Sequence, residues 1–289
     1  MVFLWGPLFR VCHALSFPTL LQSTSCVTML KPNLIKKKLL DGQPVIGTWN
    51  TLGSPLVTEV MARAGFDFQI IDLEHGPFIL DQIHLHVSAC QVNSTCSPLV
   101  RIPSPEPWMA LQALDQGAQG IMVPHIAGDD EARKLVDSAK YYPLGNRGFT
   151  PFSKAGGFNN RNVSSYMHSA LEQTITIAIV ESATGLANLD QILEVENLDV
   201  VYFGAYDLSQ AIGYPGQVRH PEVISTIQAA VRRVNESGKV AGGFVPQSRE
   251  DIGWLLGMGM RFITYEVDSS ILYSHIHSLT EWFSREVGN

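Results

Sequence analysis

From Asp41 onward, short apolar runs alternate with amphipathic stretches eight times over, and no long linker interrupts them. The runs Val45–Trp49, Phe68–Asp72, Pro98–Arg101, Gly120–Pro124, Thr174–Val180, Val200–Phe203, Val240–Phe244 and Arg261–Tyr265 read as buried strands. Between them lie helical patterns at Ser54–Ala64, Leu80–Gln91, Glu106–Gln116, Asp129–Tyr141, Leu186–Leu193, Pro221–Ser237 and Ser248–Leu256. Ser54 is placed to cap the first of these, with Pro55 at its first position, and Asp129 or Asp130 stands near the cap of the fourth. A helix from Pro32 to Leu40 precedes the series, and one capped by Asp268 and reaching Glu286 ends it. Two stretches read as irregular: the Gly-rich Pro143–Asn162 and the loop Gly204–His220. Repeated strand–helix units imply parallel pairing with right-handed crossovers. Eight of them within roughly 250 residues fit a closed barrel better than an open, doubly wound sheet. The fold expected is therefore α/β, a single-domain (β/α)8 TIM barrel over residues 31–289.

Composition narrows the class. With 45% hydrophobic and 16% charged residues, the chain has enough apolar side chains for a large core. A net charge of −7 gives no basic footprint, so nucleic acid is not an expected partner. No run of about eighteen apolar residues supports a membrane span. Cys12, Cys26, Cys90 and Cys96 show neither CxxC nor zinc-ligand spacing and read as reduced thiols, the last two buried. Residues 1–30 stand apart: no Asp or Glu occurs before Asp41, while Arg10, Lys31 and Lys36-Lys37-Lys38 do. This extension reads either as an organellar transit segment, which would place the protein in the mitochondrial matrix, or as an over-extended start ahead of Met29. The second reading, with a cytoplasmic protein, is preferred.

In a parallel barrel, chemistry collects at the carboxyl ends of the strands. Strand two ends in Asp72-Leu73-Glu74-His75-Gly76-Pro77, two carboxylates and an imidazole closed off by a Gly-Pro pair. A His with a carboxylate three residues earlier is a plausible base with its orienting partner. Strand three ends in Arg101, strand four in His125 and strand five in Glu181, and the loop after strand six brings Asp207. Glu181 and Asp207, taken singly, read as cap or turn acids. On adjacent strands they converge at one mouth as hard oxygen ligands for Mg2+, Mn2+ or Co2+. A guanidinium at the end of a buried strand needs a carboxylate partner or an anionic ligand, and Arg101 is read as serving either. His125 reads as a buried core histidine, Arg147 as a surface, interface or substrate-contacting arginine, and the His84/His86 pair has the wrong spacing for a helical metal site. No nucleotide fingerprint, Walker loop or nucleophile elbow occurs, and no strand ends in a Schiff-base lysine.

The run Asp72–Pro77, Arg101 in Leu99-Val100-Arg101, the loop Gly145-Asn146-Arg147-Gly148, Glu181 after its apolar run, and Gly204-Ala205-Tyr206-Asp207-Leu208-Ser209 together resemble the HpcH/HpaI aldolase family. The likeness runs from about Lys36 to about Leu279 with the motifs in order. It implies a (β/α)8 barrel, usually hexameric, whose C-terminal helix is exchanged between subunits. It also implies a class II, metal-dependent, pyruvate-specific aldolase, with a small 2-oxo acid and an aldehyde as its partners. By this resemblance Glu181 and Asp207 hold the divalent metal, and His75 is the base, oriented by Asp72. Arg101 binds the keto oxygen and its enolate, the backbone amides around Tyr206 and Asp207 receive the carboxylate, and Glu74 stands behind the contact residues. The chain departs from the pattern at Ile179, where Gln is expected. It lacks the Pro often found after the Gly matching Gly204, and has Tyr206 where a small residue is common.

The activity so implied is cleavage of a 4-hydroxy-2-oxo acid to pyruvate and an aldehyde. His75 takes the 4-hydroxyl proton, and Arg101 and the metal hold the developing enolate. Two alternatives use the same frame. One is a synthase that condenses an oxaloacetate-derived enolate with another acceptor. The other is a catalytically silent barrel serving as a binding module.

Overall fold

The computed structural model describes residues 31–288 apart from 78, 93–94, 162 and 246–247. The N-terminal extension 1–30, with Cys12 and Cys26, lies outside the described residues. Eight parallel strands close on themselves in chain order: β1 Val45–Asn50, β2 Phe68–Asp72, β3 Ser97–Arg101, β4 Gly120–Val123, β5 Ile175–Val180, β6 Val200–Phe203, β7 Val240–Val245 and β8 Phe262–Val267. Each strand pairs with the next and β1 pairs with β8, so no edge is left open.

Alternation along each strand sorts the side chains into two layers. Trp49, Phe68, Ile70, Leu99, Met122, Ile177, Ile179, Tyr202 and Phe262 form a cluster inside the cylinder. Ile71, Val100, Ile121, Val123, Ala178, Val180, Val201 and Phe203 face outward into a second cluster shared with the helices. Phe68 and Phe262 stack in the lumen with ring centroids 4.2 Å apart. Helix α1 (Leu34–Leu40) adds buried Ile35 and Leu39 to the lumen cluster. The same period of two puts Asp72, Arg101, Glu181 and Gly204 in line with lumen residues Ile70, Leu99, Ile179 and Tyr202. The barrel is thus a filled core whose upper layer turns polar.

The helical layer agrees with the sequence pattern at α2 (Pro55–Ala64), which Ser54 caps by accepting from the Val57 amide, and at α3 (Ile83–Gln91), α4 (Pro107–Asp115) and α5 (Asp129–Ala139). The expected helix Leu186–Leu193 is two short ones, α7 Ala183–Ala187 and α8 Leu189–Leu193. Two helices were not expected. One is α6 (Val163–Gln173), after the Gly-rich segment; the other is α9 (Ala205–Ala211), inside the stretch read as a loop. The series closes with α10 (Pro221–Glu236), α11 (Arg249–Gly257) and α12 (Asp268–Glu286).

Asp268 is the first residue of α12 rather than its cap. Its carboxylate accepts from the Thr51 and Leu52 amides and the Thr51 hydroxyl, so it ties the end of the barrel to the β1–α2 loop. Beyond this anchor α12 leaves the barrel. Leu272, Ile276, Leu279 and Phe283 recur at three- and four-residue spacing along it, and all are exposed.

The most perturbed lysine lies far from the polar end. Lys140, buried and lowered to about 8 by desolvation, donates to the Thr174 carbonyl at the amino end of β5. It is not a strand-end amine.

Candidate active site

Neighbouring strands in register build the first half of the site. Asp72 and Arg101 are paired positions at the carboxyl ends of β2 and β3. Arg101 donates from Nε to Asp72 Oδ1 at 2.7 Å and from Nη2 to Oδ2, a bidentate fork between two buried side chains. The guanidinium lies over the Trp49 ring, 4.3 Å from its centroid. Nη1 stands 3.0 Å from Glu74 Oε2. The Trp49 indole is itself held, Nε1 donating to the Thr264 hydroxyl at 3.1 Å. Arg101 therefore has contacts on its edge and face that fix its position.

This arrangement changes the reading of Asp72. The carboxylate was expected to orient the His75 ring. Its oxygens instead serve Arg101, and Oδ1 also accepts from the Glu74 and His75 backbone amides at 3.0 and 3.3 Å. The physical reason is burial: a desolvated guanidinium claims the nearest carboxylate, which leaves Asp72 to shape the turn that carries His75. His75 is exposed on that turn.

The second half comes from β4, β5 and β6. Glu181 follows β5 and is 7% exposed. Its Oε1 accepts from the His125 amide at 2.8 Å, and His125 Nδ1 is also 2.8 Å from that oxygen. Oε2 lies over Gly204, where an added Cβ would come within 2.6 Å of it. Burial pushes the Glu181 carboxyl up; Asp207 and Glu74 push it the same way, against the two His125 contacts. The α7 cap is the neighbouring Ser182, so Glu181 is not a cap acid. Asp207 sits in the first turn of α9 without a capping bond. The first intrahelical bond there is Leu208 N–H to Gly204 O, so the amides of residues 205–207 precede any helical acceptor. Tyr206 is half-exposed beside them, its ring 6.1 Å from that of Phe244.

His125 departs most from expectation. It is exposed rather than a core histidine, and its backbone is left-handed at φ 58°. Its ring bridges the two halves, with Nε2 3.3 Å from Glu74 Oε1 and Nδ1 on Glu181. Asp72, Arg101, Glu74, His125 and Glu181 thus form an unbroken chain of polar contacts across the ends of four adjacent strands. Arg147, by contrast, is a buried structural residue: Nη2 donates to Asp115 Oδ1 at 2.6 Å and the guanidinium covers the Tyr141 ring at 4.5 Å. His86 is buried on Thr58 and lowered to about 4 by desolvation, as befits a core histidine.

The donor set fits a divalent ion. Burial is the main reason the Glu181 carboxyl is pushed up, and Asp207 and Glu74 on the same rim add to it. At Gly204 a side chain would press on Glu181 Oε2, within 2.6 Å of it at the Cβ. Among the described residues no group of three or more His, Cys, Asp or Glu is placed to hold a metal ion, so the fit rests on the two carboxylates Glu181 and Asp207. Two carboxylates would leave coordination positions for water and substrate, as an open catalytic site requires.

Known proteins carry the same frame. The chain is 36% identical over 241 residues to a hydroxypyruvate/pyruvate aldolase from Roseobacter denitrificans, covering 83% of this chain and 93% of that one. It is 35% identical to a 4-hydroxy-2-oxovalerate aldolase from Rhodococcus jostii, over 88% of this chain and 96% of that one. Among solved structures, an HpcH/HpaI aldolase/citrate lyase family protein from Burkholderia cenocepacia superposes with a TM-score of 0.81 at 30% identity, over 87% of this chain and 100% of that one. The HpcH/HpaI aldolase/citrate lyase family model matches residues 45–274, all eight strands included. On these grounds the chain belongs to the HpcH/HpaI aldolase/citrate lyase family.

Proposed function

We propose that the protein cleaves a 4-hydroxy-2-oxo acid to pyruvate and an aldehyde, and runs the reverse condensation, as a metal-dependent carbon–carbon lyase. The observation that carries this reading is a fixed guanidinium and two carboxylates, Glu181 and Asp207, at one barrel mouth. Glu181 and Asp207 would hold the ion, Mg2+, Mn2+ or Co2+. When bound, it supplies Lewis-acid polarisation of the 2-keto oxygen.

The remaining work falls to the chain. The amides at the start of α9, around Tyr206 and Asp207, receive the substrate carboxylate. His75, exposed on the turn after β2, takes the proton from the 4-hydroxyl. The C3–C4 bond then breaks, the aldehyde leaves, and Arg101 holds the enolate oxygen with a charge that needs no reorganisation. A proton delivered to C3 completes pyruvate. The direct test is coupled detection of pyruvate released from 4-hydroxy-2-oxo acids with Mn2+ or Mg2+ present. EDTA treatment is expected to abolish release and added metal to restore it; full activity after chelation would remove the metal from the mechanism. The aldolase reading is favoured over the synthase alternative because the matched curated relatives are named aldolases.

We also propose a homo-oligomer in which α12 packs on a neighbouring subunit. Leu272, Ile276, Leu279 and Phe283 form an apolar stripe that this subunit leaves open. Light scattering is expected to give a hexamer, and Ile276→Asp with Leu279→Asp to lower the mass. A monomeric wild type would end the proposal.

A further inference from the structure

We propose that His125 is a positioning residue for metal capture: its amide and imidazole together hold Glu181 Oε1, so that Oε2 alone is presented to the ion. This rests on the metal reading of Glu181 and Asp207 given above. The His125 amide donates to Oε1 at 2.8 Å, and the ring Nδ1 stands 2.8 Å from the same oxygen. The amide bond and the ring nitrogen beside one oxygen fix the rotation of the carboxylate. Oε2 then lies against Gly204, directly before the α9 turn that carries Asp207.

The backbone is shaped for this contact. In the alternation of β4, Met122 faces the lumen and Val123 faces outward, so an extended residue 125 would also point outward. The left-handed conformation at His125 reverses that direction, while the Ile126 amide continues the ladder to Ile179 O at 3.0 Å. Nε2 stands 3.3 Å from Glu74 Oε1 on the far side of the ring. A 67% exposed histidine in a strained conformation has no packing role that would explain it. Partners that orient a ligating side chain are commonly worth about 10- to 100-fold in metal affinity.

The test uses His125→Asn, because Asn tolerates the left-handed region and keeps the backbone amide while deleting the ring. Mn2+ binding to full-length protein, followed by electron paramagnetic resonance, is expected to weaken about 10-fold or more relative to wild type. Activity is expected to return to within a few-fold of wild type at saturating Mn2+. Glu181→Gln serves as the reference for loss of a ligand. Unaltered Mn2+ affinity in His125→Asn, with wild type binding and Glu181→Gln not binding, overturns this inference alone. Wild type that binds no Mn2+ overturns the metal reading and this inference with it. Weakened binding with an activity deficit that saturating Mn2+ leaves in place assigns the ring a role in the reaction itself and also overturns the inference.

Discussion

Arg101→Lys is expected to lower kcat by about 10²- to 10³-fold with natural folding retained. The substitution keeps a cation but loses the planar fork. Arg101 sends Nε and Nη2 to the two oxygens of Asp72, turns Nη1 toward Glu74, and lays its face over Trp49. An ammonium is a point donor and reproduces none of that geometry. Arg101→Ala is the harsher change, because Asp72, almost fully buried, would lose its cation. Breaking such a pair from one side costs about 3–5 kcal/mol. For a barrel of this size that corresponds to a fall in Tm of roughly 10 °C. The two variants separate catalysis from stability: steady-state pyruvate release should collapse in both, while calorimetry should register a large loss in Arg101→Ala. Lysine activity within a few-fold of wild type would mean that the guanidinium is structural and the enolate is held elsewhere.

The same ion pair explains what the sequence could and could not disclose. Strand ends were legible because apolar runs stop where polar residues begin, and all eight strands lie where those runs lie. Asp72, Arg101 and Glu181 were legible as mouth residues for a simple reason: each continues the lumen-facing parity of its strand. Pairing is another matter. Asp72 had two candidates, His75 nearby in sequence and Arg101 across the register, and only the closed sheet brings the second beside it. His125 was misread for a sharper reason. Parity sends it to the outer layer, and one left-handed φ, which no neighbouring Gly announces, turns it back.

The missed helices follow similar logic. The turn-rich Gly204-Ala205-Tyr206-Asp207-Leu208-Ser209 hides α9, whose cap Gly204 makes no side-chain bond. Helix α6 follows a Gly-rich stretch and buries just Tyr166 and Ala170, so its apolar stripe is thin.

Glu181→Gln should abolish metal binding and with it pyruvate release, yet the metal-free variant is expected to melt higher than metal-free wild type at neutral pH. Glu181 is pushed up from the ordinary value of 4.5, by desolvation first and then by Asp207 and Glu74, and the His125 contacts offset this in part. A carboxyl raised on folding binds its proton more tightly in the native state. Its ionisation therefore penalises folding at pH above the raised value, and the penalty fades as pH falls back to 4.5 and below. A neutral amide escapes this cost while still accepting from the His125 amide through its carbonyl oxygen. The melting advantage of Glu181→Gln should thus shrink as acid is added and disappear below the ordinary carboxylate range. Saturating Mn2+ should reverse the order at neutral pH, since ligand bound to the native state raises the melting point of wild type alone. Crossing curves of this kind tie the repulsion at the rim to the ion that relieves it. If Glu181→Gln melted lower than wild type at neutral pH in the absence of metal, Glu181 would be a structural acid satisfied by His125, and the rim would hold no charge waiting for a cation.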